Sequence, residues 1–137
     1  MTEIDYPPSR TVALGDALAS VEARLEDGDG DGDLANQRDA LAWGVEEFGD
    51  GAEVTVAAFT AATRARVLDE LRDGVVGEPG PREMSLWLVA AGVDAAPWLD
   101  GGEDIAARAA VTGELPPALV DWLESILDDV NDLSQGN

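Results

Sequence analysis

Seven residues, Asp27-Gly-Asp-Gly-Asp-Gly-Asp33, carry the sharpest chemical pattern in this sequence. An EF-hand loop needs oxygen ligands at its first, third and fifth positions, Gly at the sixth and a bidentate Glu at the twelfth. Counted from Asp27, the ligands are Asp27, Asp29 and Asp31, followed by Gly32, Asp33 and the apolar Leu34. The twelfth position is Arg38, a cation where the bidentate carboxylate belongs, and Asp39 is one residue out of register. The segment therefore reads first as a flexible acidic linker. The alternative is a weak Ca²⁺ site on Asp27, Asp29, Asp31 and Asp33, and no other cofactor is expected.

Most other catalytic chemistry lacks its parts. The chain has no Cys, His or Lys, which removes thiolate zinc sites, the Cys nucleophile, the commonest general base and the phosphate-binding loop that ends in Lys. Ser9, Ser20, Ser85, Ser125 and Ser134 stand in no Gly-x-Ser-x-Gly turn. Acid pairs such as Glu46-Glu47, Glu103-Asp104 and Asp128-Asp129 recur because acid is everywhere, so they single out no site. No catalytic residue is expected, and the chain is read as a non-enzyme.

Charge sets the environment. Eight Arg face 29 Asp and Glu, for a net charge of −21 over 137 residues. Such a surface repels itself in dilute buffer. In about 1 M salt the Debye length shrinks to roughly 3 Å and the repulsion is screened. The composition points to a salt-adapted protein that loosens when salt is withdrawn. The same charge excludes nucleic acid as a partner, since no basic stripe offsets it. No apolar run is long enough to span a membrane, and the start of the chain lacks a signal peptide's basic and apolar regions. The expected location is the cytoplasm.

The elements that would position any site are mostly helical. Residues 1–10, with Pro7-Pro8, read as an extended arm. Residues 11–137 read as a single helical domain of five or six helices, interrupted by the acidic loop at 27–33. Helix spacing predicts segments at 11–26, 34–48 with Asp33 as N-cap, 60–73, 82–91 and 103–111. Pro81 suits the first position of the fourth, and Gly92 its C-terminal cap. Glu53-Val-Thr-Val-Ala-Ala58 alternates as a short strand or hairpin would. In the last helix, opened by Pro116-Pro117, Leu119, Leu123, Ile126, Val130 and Leu133 step by four, three, four and three. The fold class that follows is mainly α.

With so few large side chains, tryptophans weigh heavily. Trp98 follows Pro97 in a loop, and Trp122 flanks the C-terminal seam. Trp98, Leu119, Trp122, Leu123, Ile126 and Val130 are the candidate partner-binding residues, since Trp is favoured at binding hot spots. The seam serves equally well as a helix packed on its own domain.

The order of features over residues 45–134 resembles the tail assembly chaperone proteins of long-tailed viruses. It runs from Glu53-Val-Thr-Val-Ala-Ala-Phe59 and Thr63-Arg-Ala-Arg66, through Leu88-Val-Ala-Ala-Gly-Val93 and Glu103-Asp-Ile105. It closes with Leu115-Pro-Pro-Ala-Leu-Val120 and an amphipathic helix to Leu133-Ser134. The resemblance implies a factor that binds the tape-measure and tail-tube proteins during assembly in an infected haloarchaeal cell. It also implies absence from the finished particle. The alternatives are a permanent virion component meeting neighbouring subunits (a head–tail connector or tail-completion subunit), and a cellular haloarchaeal regulatory or Ca²⁺-binding module. Self-association into a homo-oligomer stays open.

Overall fold

The computed structural model describes residues 8–28, 32–74, 77 and 79–134, with side chains as far as Asp132. It is mainly helical, with six helices and a small three-stranded antiparallel sheet. In chain order the elements are β1 (Ser9–Ala13), α1 (Leu14–Glu26), α2 (Gly32–Phe48), β2 (Glu53–Ala57) and α3 (Ala61–Gly74). Then follow α4 (Pro81–Gly92), β3 (Val93–Ala95), α5 (Ile105–Thr112) and α6 (Pro117–Ser134).

The expected strand at 53–58 is β2, the middle strand of the order β1-β2-β3. Its alternation does what the period-two pattern requires: Val54 and Val56 are buried while Thr55 is half-buried. Thr11 of β1 pairs with Thr55, and their hydroxyl oxygens lie 2.8 Å apart on the outer face.

The first helix starts later than its periodicity predicts. Thr11, Val12 and Ala13 belong to β1, as do Ser9 and Arg10 from the segment expected to be an extended arm. Residues 1–7 lie outside the described residues. The boundary is set from far away. The Leu14 N–H donates to the Ala52 carbonyl at 2.8 Å and the Gly15 N–H to that of Asp50 at 2.9 Å. These bonds satisfy donors at the start of α1 where Ala13 offers no side-chain cap. The approach needs Gly15, because a Cβ there would stand 2.7 Å from the Asp50 Cβ.

Local capping explains other boundaries. Thr60 accepts from the Thr63 N–H at 3.1 Å at the start of α3, and Asp104 from the Ala107 N–H at 2.8 Å at the start of α5. Pro81 opens α4 as expected. Asp33, expected to cap α2, lies instead in its first turn, because the helix already includes Gly32. Gly92 is the last residue of α4 rather than its cap. Val93–Ala95 follow directly as β3.

Two apolar clusters result. The larger gathers α1, α2 and the sheet around α6, where Leu119, Leu123 and Val130 are fully buried against neighbours that include Leu14, Leu41 and Val54. The smaller lies where α3, α4 and α5 pack together, and holds Val67, Leu71, Ala90, Ala109 and the buried Thr112. Thr112 donates its hydroxyl to the Arg108 carbonyl at 2.7 Å, so the buried oxygen is satisfied. α4 joins the clusters, and Gly92 makes the junction tight: a Cβ there would lie 2.6 Å from the Leu127 Cδ1.

Candidate interaction surface

The start of α6 shapes the surface around it. Pro116 and Pro117 donate no backbone hydrogen bond and present flat apolar rings. On one side of them, α2 supplies Ala40, Trp43 and the polar Asn36 and Gln37, enclosing a groove of about 510 Å³. On the other side, Pro81, Arg82 and Leu86 of α4 face Leu115 and Val120 across a second groove of about 450 Å³. Pro117 and Asp121 border both grooves.

Trp43 is the feature that sets this surface apart. At 37 % exposure it is the one large apolar side chain left open among the described residues. Its ring meets Phe48 edge to face at 5.8 Å between centroids, and Phe48 meets Trp98 at 6.0 Å. This aromatic train holds the indole at the mouth of the groove. Such pairs add about 0.5–1.5 kcal/mol beyond area burial. The rim is acidic, with exposed Asp33, Asp39 and Asp121. Of these, Asp39 already accepts from Arg38 at 3.0 Å.

The residues expected to meet a partner lie elsewhere. Leu119, Leu123 and Val130 are fully buried, and Trp122 and Ile126 are buried with them in the chain's own core. A partner cannot reach Leu119, Leu123 or Val130 without opening the fold, whereas Trp122 and Ile126 keep an edge on a groove between α1 and α6. The heptad spacing reports burial and does not say against what. Trp98 is half-buried on Phe48, and its indole Nε1 is buried with no acceptor among the described residues.

Of the Asp-Gly ladder only the two ends are among the described residues. Asp27 caps the C-terminus of α1, and Gly28 adopts a left-handed φ of +82°. α2 already includes Gly32 and Asp33, whereas the calcium loop needs those positions to wrap an ion. Asp29 and Asp31 lie outside the described residues. Among the described residues no three acidic side chains converge on a point that could hold a metal ion.

Cations are distributed unevenly. Arg10 pairs with Asp129 at 3.5 Å, Arg38 with Asp39 at 3.0 Å and Arg72 with Asp69 at 3.9 Å. Arg108 donates to the Val93 carbonyl at 3.3 Å and leaves its buried Nε without an acceptor. Arg24, Arg64, Arg66 and Arg82 form no ion pair among the described residues.

One carboxylate shapes a loop. Glu103 accepts from the backbone N–H groups of Asp100 at 2.7 Å and Gly101 at 2.9 Å. The Asp100 bond is the largest influence holding its pKa below the usual 4.5, with further backbone donors adding to it.

Trp43 stands beside the apolar stripe of α2, Leu34, Leu41, Val45 and Phe48, and Pro116-Pro117 marks the start of α6. That the two meet is a tertiary fact between residues more than seventy positions apart. Trp43 is absent from the residues expected to meet a partner; the signal that could have found it is a Trp off the apolar stripe of its own helix. No helix among the described residues is long and apolar enough to cross a membrane. No protein-family model, curated protein or solved structure matches this chain.

Proposed function

We propose that this chain is a salt-adapted, non-enzymatic protein–protein interaction factor whose docking surface is the pair of grooves flanking Pro117. The carrying observation is Trp43, the most exposed large apolar side chain among the described residues, standing at the mouth of the groove beside Pro116 and Pro117. Trp in a pocket with a polar rim is the residue type most often found at the energetic centre of an interface. A strongly acidic surface repels other acidic proteins, so recognition falls to apolar grooves and to a few placed charges.

The resemblance over residues 45–134 extends this to a role. The chain assists tail assembly of a haloarchaeal virus, binding tape-measure and tail-tube proteins in the host cytoplasm. The test is affinity purification of a tagged chain from infected cells, in parallel with mass spectrometry of purified particles. Co-purification of both tail proteins from lysate, reduced at least tenfold by Trp43→Ala and with the chain absent from particles, is the expected result. Stoichiometric presence in particles makes the chain a structural component instead. Failure to retain either tail protein removes the assembly role.

A further inference from the structure

We propose that the occupant of the Trp43 groove is an extended, arginine-bearing segment of a partner protein, an inference that rests on the groove being a docking surface. Asp33 and Asp39 of α2 and Asp121 of α6 are the charged residues around it, and no arginine lines it. Elsewhere the chain sets cations among its acids. Arg82 lines the second groove at Pro117, Arg10 and Arg24 the groove between α1 and α6, and Arg66 and Arg108 the one between α3 and α5. The groove beside Gly15 also lacks arginine, but it holds no aromatic side chain. Arg38, the one arginine of α2, is spent on Asp39 at 3.0 Å. Asp33 and Asp121 form no ion pair among the described residues. The groove with the open indole thus keeps carboxylates that the chain does not neutralise itself.

Spacing decides what kind of cation fits. Asp33, Asn36, Ala40 and Trp43 line the groove and step by three, four and three, so they share one face of α2. At 1.5 Å per residue, Asp33 and Trp43 stand about 15 Å apart along that face. Asp121 belongs to the other wall, one turn after Pro117. A single small cation cannot touch acids spread over that length. An extended peptide, advancing about 3.3 Å per residue, crosses it in about four or five residues. An arginine at Trp43 and a second towards Asp33 match the two ends, and the residues between them lie over Ala40, Pro116 and Pro117.

Arginine suits this groove better than lysine. A guanidinium stacks flat on an indole and donates from its edge to a carboxylate, whereas an ammonium is a hydrated point charge. In about 1 M salt the Debye length is roughly 3 Å, so a carboxylate acts only on a cation that touches it. Recognition at this groove therefore reads where the cations stand and not the net charge of the partner.

The test is titration of the full chain, in molar KCl, with a blocked peptide of two arginines separated by three glycines. The Trp43 indole N–H, assigned by its loss in Trp43→Phe, is followed by NMR and shifts as the peptide binds. The citrulline counterpart, alike in shape but uncharged, binds at least tenfold more weakly. The lysine counterpart and N-acetyl-arginine amide each bind at least threefold more weakly. Asp33→Asn and Asp121→Asn each weaken the arginine peptide at least threefold, and Asp94→Asn, exposed on β3 outside the groove, leaves it unchanged. A Trp43 resonance indifferent to the arginine peptide overturns the proposal, as does equal binding of the citrulline peptide or an absence of effect from the Asp33 and Asp121 variants. Equal binding of N-acetyl-arginine amide overturns the extended segment, and equal binding of the lysine peptide overturns the guanidinium. Tail proteins retained through Trp43 whether or not Asp33 and Asp121 are replaced overturn the arginine-bearing segment and leave the docking surface standing. Retention that ignores Trp43→Ala removes the groove as the docking surface for tail proteins, even where the arginine peptide still binds there.

Discussion

The two apolar clusters are built on opposite terms. Around α6, large side chains such as Leu14, Leu41, Leu119 and Leu123 are fully buried beneath a surface that carries most of the negative charge. Between α3, α4 and α5 the core is small, with Ala90, Ala109 and Thr112 beside Val67 and Leu71, and the α3–α4 segment above it is close to neutral. One region fully buries many large side chains under a heavy negative charge; the other fully buries few under a light one. Packing and charge thus act on different halves, and salt should change their relative stability.

The largest effect expected is a crossing of local stabilities with salt. In molar KCl, α3 amides exchange faster than α6 amides, because fewer apolar contacts hold them. As KCl falls to about 0.1 M the screening length grows from roughly 3 Å to roughly 10 Å. The α2 and α6 amides then lose protection more steeply than those of α3, and helicity falls as the acidic half opens. Hydrogen exchange followed by mass spectrometry across a KCl series reads this directly. Equal salt slopes in the two regions would break the comparison.

A pair of truncations sharpens the packing side. Leu123→Ala, at the centre of the larger cluster, is expected to cost about 3–5 kcal/mol, as buried Leu→Ala changes do where the cavity cannot collapse. Leu71→Ala, equally buried, lies in the cluster with fewer fully buried large side chains, and about 2–3 kcal/mol is expected. Denaturant titrations in molar KCl measure both. Equal losses would mean that the smaller cluster is as rigid as the larger.

The smallest effect lies at the loop before α5. Backbone donors lower the Glu103 pKa, so its stabilising influence is full above the usual 4.5 and disappears as pH falls through the lowered value. Amide exchange at Asp100 and Gly101 should quicken over that acidic window. Glu103→Gln should remove the pH dependence while leaving the α6 amides unchanged. A wild-type loop whose exchange follows simple base catalysis through that window would show that these hydrogen bonds do not order it.

What the sequence made legible divides along physical lines. Five helices were readable near their observed bounds because their signals are local: the Thr60 cap, Pro81 at the start of α4, Gly113 after α5 and the four–three stepping of α6. β2 was readable from the alternation of Val54 and Val56. β1 was not, because Val12 directly precedes Leu14, Leu18, Val21 and Leu25, whose four–three–four stepping draws the helix back over it. Only the pairing of Thr11 with Thr55, forty-four residues away, tells a strand from a helical turn there. β3 is three residues long, too short for any period to register. The site followed the same rule. Periodicity found the apolar face of α6 but could not say that this face closes on its own domain, and the groove at Trp43 exists only once α2 and the start of α6 are adjacent.

The place of α6 in chain order has a consequence for biosynthesis. The helix that fills the centre of the larger cluster, eighteen residues from Pro117 to Ser134, is made after α1, α2 and the sheet that it covers. Until it leaves the ribosome, the nascent chain holds α1, α2 and the sheet with their shared apolar surface uncovered. Each newly made molecule therefore completes this core only once α6 has emerged, so the order of synthesis makes its packing a late step relative to the elements it covers.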